Sequence, residues 1–122
     1  MTAVQPPVAE RDTSSAIDIY RSFRGLIVAG HFAANERLPS VRQTATDLGV
    51  SAGTAAKAYK MLEQDGLVIT RTAAGTRVAP SAAVLSESVM RRIRALAEES
   101  ASAGADLEDV IAVLRLLGSP QS

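Results

Sequence analysis

The chain predicts a mainly α-helical fold carrying one small β-hairpin, and three features of its 122 residues point there. Apolar residues recur at spacings of three and four over most of the length, the period of an amphipathic helix. Two of these periodic runs are separated only by Gly49-Val50, and the second is entered through Ser51. One patch, Leu67 to Val78, switches to β-branched residues on either side of a small turn and is stopped by Pro80.

Residues 1–13 combine Pro6-Pro7, Thr, Ser and scattered charge without periodicity, so they read as a flexible N-terminal arm. Ser14 or Ser15 can cap a first helix, "SAIDIYRSFRGLIVAG", which places Ile19, Phe23, Leu26 and Ile27 on one stripe and ends at Gly30. Gly30 to Asn35 is a turn, and "ERL" before Pro39 is a short extended piece. "SVRQ" then matches a capping box. The Ser40 hydroxyl can accept from the Gln43 amide while the Gln43 side chain reaches back. The second helix runs to Leu48 with Val41, Ala45 and Leu48 inward, and Gly49 ends it.

Ser51 caps a third helix extending to about Asp65, where Gly66 supplies the left-handed residue and Leu67 packs back. "LVITRT", "AAG" and "TRV" follow as strand, turn and strand. Helix, helix-turn-helix and hairpin in this order make a winged helix-turn-helix over residues 14–80. From Ala82 the helical period returns: Leu85, Val89, Ile93 and Leu96 form one stripe, Gly104 breaks it, and Asp106 caps a helix striped by Val110, Ile111, Leu114 and Leu117. Helices over 82–103 and 106–117 make an αα-hairpin. A two-helix piece cannot enclose its own stripes, so residues 81–122 are expected to form a dimerisation tail.

Apolar residues make up 47% of the chain and aromatic ones only 3%, so the core must be built from aliphatic side chains. Cysteine is absent, which removes disulfides and thiolate chemistry and suits a reducing cytoplasm. No run of about 18 apolar residues occurs and the N-terminus lacks a leader pattern, so membrane insertion and export are not expected. With one histidine, His31, set alone in a turn, the chain has no recognisable nucleophile–base pair. It is expected not to be an enzyme, with no catalytic residue, metal or cofactor. Asp106, Glu108 and Asp109 are read as capping a helix start rather than binding a metal.

Formal net charge is zero, but its distribution is uneven. Between Arg37 and Arg77 six basic residues (Arg37, Arg42, Lys57, Lys60, Arg71, Arg77) face three acidic ones, whereas from Ser81 onward acidic residues outnumber basic ones six to four. The middle of the chain suits a polyanion and the tail does not.

The third helix opens with "GVSAGTAAKAY", in which Ala and Gly fill six of eleven positions. At about 100° per residue, Ala55, Ala58, Tyr59 and Leu62 fall on one side and Gly53, Ala56, Lys57 and Lys60 on the other. Its exposed face is two small residues followed by two lysines. In a major groove, helix-start residues meet base edges while later residues and the wing hold phosphates. Ser51, Gly53 and Thr54 are the candidates at the start. Ser and Thr hydroxyls discriminate weakly between bases, so this helix would read DNA through close backbone approach, Ser51, Thr54 and lysine anchoring, with Arg42 and DNA shape supplying much of the specificity.

The run "IVAGHFAANERLPSVRQTATDLGVSAGTAAKAYKMLEQDGLVITRTAAGTRVA" resembles the DNA-binding domain of the GntR family of bacterial transcriptional regulators, most specifically in "LPSVR", in the "LGVS…T…AYKMLEQDGLV" frame and in "GTRV". The short two-helix tail is similar to the YtrA subgroup. The resemblance implies a homodimeric repressor of transcription that binds double-stranded DNA at a two-fold-related operator. It implies DNA contacts for Arg42, Ser51 and Thr54 and a minor-groove approach for the wing glycine Gly75; Arg71 and Arg77, which flank the wing, are phosphate contacts or exposed strand residues. It implies tail dimerisation through Leu85, Val89, Ile93, Leu96, Val110, Ile111, Leu114 and Leu117.

The chain departs from the family pattern at three sites. Ala56 stands where arginine is frequent, Ala73-Ala74-Gly75 replaces Gly-x-Gly at the wing, and Asn35 replaces a glycine at an expected left-handed position. A small-molecule inducer could occupy the crevice between winged helix and tail, though the sequence names no ligand. The alternative function, from another class, is a winged helix used as a protein-interaction module, with the Ala-rich face as its docking patch.

Overall fold

No proline or glycine falls between Val8 and Arg24, and Ala9, Glu10 and Arg11 are good helix formers, so the first helix starts early. Helix α1 runs from Val8 to Val28, ahead of the Ser14 or Ser15 cap expected and through residues 8–13 of the expected arm. The computed structural model describes residues 8–71 and 75–119, the first six of them by backbone alone. The rest of the expected arm, residues 1–7, and the wing-tip residues Ala73 and Ala74 lie outside the described residues. The chain divides into two compact units between Val84 and Leu85, four residues beyond the boundary expected at Pro80.

In the first unit, Ala16, Ile19 and Ile27 of α1 are buried, with Tyr20 and Phe23 half-buried beside them. Leu26, expected on the same stripe, is exposed. Gly30 closes α1 at φ +80°. Helix α2 spans Val41–Leu48, capped by the Ser40 hydroxyl, which accepts from the Gln43 amide at 3.0 Å. Only this half of the expected capping box forms, because the Gln43 side chain donates to Asp47 at 2.8 Å instead of reaching back. Ala45 faces inward as expected and Val41 packs against the core. Leu48 is 55% exposed: it ends the helix beside Leu26, in a shallow groove that no further element of the unit covers.

Helix α3 spans Ala52–Gln64 and is separated from α2 by Gly49, whose φ of +66° turns the chain. Gly66 is left-handed and the Leu67 amide bonds back to the Leu62 carbonyl at 2.9 Å, the expected helix stop. Strands β1 (Val68–Arg71) and β2 (Gly75–Val78) pair antiparallel, Val68 opposite Val78 and Arg71 opposite Gly75. The "ERL" piece adds a third rung. Arg37 bridges Arg77, the Leu38 amide bonds the Thr76 carbonyl, and the Val78 amide bonds the Glu36 carbonyl, each near 2.9 Å. Asn35 takes the left-handed conformation expected of it, φ +67°, to turn the chain into that rung.

Side chains from all these elements meet in one core: Ile27, Leu38, Tyr59, Leu62, Leu67, Val68 and Val78, with Phe23 edge-on to Tyr59 at 5.5 Å. Ile27, Leu38, Leu62 and Val68 are almost completely buried, and each such side chain contributes roughly 1.5–3 kcal/mol by leaving water. A smaller cluster of Ala16, Ile19 and Ala58 joins α1 to α3. The alanines of α3 let the two helix axes come close.

The second unit holds helices α4 (Glu87–Ser102) and α5 (Leu107–Gly118), joined through Gly104 at φ +69°. Helix α4 starts five residues later than expected because Ser86 caps it, accepting from the Val89 amide, while Ala82 packs on the core of the first unit. Leu85 therefore precedes the helix. Asp106 caps α5 by accepting from the Glu108 amide at 2.7 Å, with Glu108 and Asp109 in the first turn, as read from the sequence. The two helices scarcely approach each other beyond their connecting turn, and no residue of either is buried. Among the described residues no helix is long and apolar enough to cross a membrane.

Candidate nucleic-acid interface

The face of α3 expected to be bare is bare. Gly53, Ala56, Lys57 and Lys60 are exposed, and Ala55, Ala58, Tyr59 and Leu62 are buried. Gly53 has no internal reason to be glycine. Its φ is not left-handed, and a Cβ built there meets nothing nearer than the Ser51 hydroxyl at 3.8 Å. Glycine inside a helix costs about 1 kcal/mol relative to alanine, so this position gives up stability for space outside the molecule.

Thr54 departs from the expectation. It is only 3% exposed, and its hydroxyl lies 2.8 Å from that of Ser51, which also accepts the Thr54 amide at 3.1 Å. One turn further into a helix than its cap, a threonine points along the core side, where its hydroxyl needs a partner and takes the nearest. Thr54 therefore fixes the helix start, leaving exposed Ser51 and Gly53 to present it. The amides of Ala52 and Gly53, at the first two helical positions, have no carbonyl within the helix to bond.

Arg42 is exposed on the first turn of α2, and its position relative to α3 is set by a buried hydroxyl network. The Tyr59 phenol donates to the Pro39 carbonyl at 2.6 Å. Its oxygen lies 2.8 Å from the buried Thr44 hydroxyl. Because the phenol has one proton and gives it to Pro39, Thr44 is the donor in that second bond. Burial pushes the Tyr59 ionisation above its ordinary value of 10.0, with the Thr44 bond opposing in part. One side chain of α3 thereby holds both the entry and the first turns of α2. Sequence reasoning placed Tyr59 on the buried side without its partners; the signal available was that a buried tyrosine must place its hydroxyl somewhere.

A second tie was also missed. Tyr20 donates to the Asp65 carboxylate, and Arg24 bonds both the Tyr20 hydroxyl at 2.9 Å and Asp65 at 3.2 Å, linking α1 to the end of α3. Lys57 and Lys60 stand along a shallow groove floored by Ala16, Ile17 and Met61. On the hairpin, Arg71 is exposed and Arg77 half-buried, its guanidinium donating to the Asn35 carbonyl at 3.0 Å. Gly75 differs from Gly53 in having an internal reason to be glycine, its left-handed backbone, and in having a side chain laid over it. Its φ is +70°, and an added Cβ would lie 2.9 Å from Nε of Arg37.

In the second unit, the residues expected at a dimer interface are placed on open helix faces, apart from Leu85, which precedes α4. Leu85, Val89, Ile93, Leu96, Leu114 and Leu117 are exposed, while Val110 and Ile111 are half-buried. Ile93, Leu96, Val110, Ile111 and Leu114 line an apolar groove of about 500 Å³. His31 packs edge-on to Phe32 at 5.2 Å, and among the described residues no cluster of side chains could hold a metal ion.

Against known proteins, a family described as bacterial regulatory proteins, gntR family, matches residues 16–78. The HTH-type transcriptional repressor YtrA of Bacillus subtilis is 33% identical over 75 residues, 58% of this chain and 58% of that protein. The chain spans less than two thirds of the length of the first curated relatives it matches. A crystal structure of a transcriptional regulator from Oenococcus oeni superposes with a TM-score of 0.53 at 25% identity, covering 98% of this chain and 87% of that one. AraR(DBD) in complex with operator ORX1 superposes with a TM-score of 0.53 at 25% identity, over 63% of this chain and 93% of that one.

Proposed function

Because the chain belongs to the gntR family of bacterial regulatory proteins, we propose that it is a cytoplasmic, DNA-binding transcriptional regulator, a homodimeric repressor that sets one winged helix on each half of a two-fold-related operator. The observation that carries this reading is Gly53. A glycine that nothing inside the protein requires, at the exposed start of a helix-turn-helix, suits close approach of that helix to a groove. Likeness to AraR(DBD), whose structure includes its operator, supports the same use of the same fold.

Roles then follow from position. Ser51 and the free amides beside it meet the groove or its phosphates, and Lys57 and Lys60 anchor the helix along the backbone. Arg42, held by the Tyr59 network, supplies a long side chain on the neighbouring helix. The buried Thr54 shapes the helix start and touches no base. Arg71 and Arg77 contribute charge from the hairpin. Helices α4 and α5 supply the dimer contact, since apolar faces as open as theirs are stable in water only against a partner. Two linked modules, each with few base contacts, gain affinity through their effective concentration.

Selection of bound duplexes from a random pool by the full-length protein tests this directly. The expected result is an enriched two-fold-related site, with affinity that falls steeply with salt. Recovery of no enriched site, together with no binding to random duplex at low salt, would overturn the reading in favour of a protein-interaction module.

A further inference from the structure

Three arginines, not two, share the outer face of the wing ladder. Residues directly opposite in an antiparallel pair point to the same side, and alternate residues along a strand do likewise. Arg37 lies opposite Arg77, Arg77 opposite Ile69, and Arg71 opposite Gly75, so all five belong to one face. The other face carries Leu38, Val68, Thr76 and Val78, all buried, and, toward the wing end, the exposed Thr70 beside Thr76. The side turned away from the core therefore holds Arg37, Arg71 and Arg77.

Like charges directly opposite one another on a ladder destabilise it. Among the described residues no carboxylate pairs with any of the three. Glu36, adjacent to Arg37, has its carboxylate turned to the Ala33 amide, which donates to it at 3.0 Å. Arg77 gives one N–H to the Asn35 carbonyl. Arg37 is seated differently. Its Nε, Cζ and a terminal nitrogen lie 2.9–3.3 Å from where a Gly75 side chain would begin, so the guanidinium rests against the bare Gly75 backbone. A planar fork supported in this way gives up less freedom per hydrogen bond than a fully mobile side chain would.

We propose that Arg37 is a further DNA-contacting residue, seated on Gly75 and acting with Arg71 and Arg77 to hold backbone phosphate on the outer face of the wing ladder. The proposal rests on the DNA-binding reading above. It gives Gly75 the role of seating an arginine. A phosphate oxygen accepts from the guanidinium fork, and its charge offsets the repulsion that the three arginines impose on one another.

The test measures binding of the full chain to random and to selected duplex by fluorescence anisotropy across a salt series, for wild type, Arg37→Gln, Arg37→Lys and Gly75→Ala. Each lost phosphate contact lowers the slope of log K against log salt by about one, so the variant homodimer, which loses two, should lower it by about two and weaken both duplexes alike, roughly fivefold per contact at physiological salt. Arg37→Lys should keep the slope. Gly75→Ala, in which Arg37 keeps its charge but loses its seat, should weaken binding with little change of slope, and adding Arg37→Gln to it should lower the slope as Arg37→Gln does alone. A merely structural Arg37 would instead lower the melting temperature of Arg37→Gln, which the proposal expects unchanged or raised. Wild-type binding with an unchanged slope in Arg37→Gln would overturn the assignment of Arg37 alone, whereas no salt-dependent binding by wild type would overturn the DNA reading with it.

Discussion

Helices α3 and α5 carry apolar stripes of similar regularity, yet α3 buries Ala55, Ala58, Tyr59 and Leu62 while no residue of α5 is buried. The contrast extends to their units. In the first, a helix, a helical pair and a three-rung ladder enclose Ile27, Leu38, Leu62 and Val68. In the second, α4 and α5 leave Leu114 51% and Leu117 75% exposed. An amphipathic stripe records a demand for a partner without naming where the partner comes from. In the first unit the same chain supplies it, and in the second the proposed supplier is another copy.

The largest effect expected from breaking this contrast is Leu62→Ala, which removes a fully buried side chain from the first unit. It should cost about 2–5 kcal/mol, read as a large drop in denaturation midpoint. Leu114→Asp on the open face of α5 should leave the fold intact and shift sedimentation from dimer to monomer. Affinity for a two-fold duplex should then fall about a hundredfold while half-site affinity holds. An unchanged sedimentation profile would remove the tail as the dimer contact.

Tyr59→Phe probes the first unit more finely. It leaves the Pro39 carbonyl and the Thr44 hydroxyl short of a partner, at about 1–2 kcal/mol. Because burial raises the Tyr59 ionisation above 10.0, the neutral phenol's contribution is fully present below pH 10.0 and is lost as pH rises through the folded-state value. The alkaline decline in stability should therefore flatten in the phenylalanine variant. The smallest effect sharpens the functional side: Gly53→Ala should gain about 0.5–1 kcal/mol in thermal unfolding yet weaken operator binding. Stronger binding in that variant would deny that the position trades stability for approach.

Much of both units was legible because their signals are local. Ser40, Ser51 and Asp106 cap the helices they were expected to cap, Gly66 and Leu67 close α3, and Asn35 is left-handed, each settled by a few neighbouring residues. Where expectation and structure part, the deciding neighbour is distant or competing. Gln43 had Asp47 to bond instead of Ser40, Leu48 found no element above it, and Val8 to Thr13 extended a helix that tertiary packing secures further on. On the candidate interface, helical angles alone divided α3 into its two faces. They could not see that Thr54 turns inward to Ser51, or that Tyr59 reaches across 20 residues to Pro39.

The sequence by itself determined the order of elements, the caps of α2, α3 and α5, the stops at Gly30, Gly49 and Gly66, and which face of α3 is bare, because periodicity, capping and left-handed glycines act over a turn or two of chain. Tertiary structure alone decided that Arg37 joins Arg77 across the ladder and lies over Gly75, some 40 residues away. It also decided that an arginine lies over one glycine and that nothing crowds the other. Both read as the same letter in the chain, and the difference between Gly53 and Gly75 exists only once distant atoms are brought within a few ångströms of each.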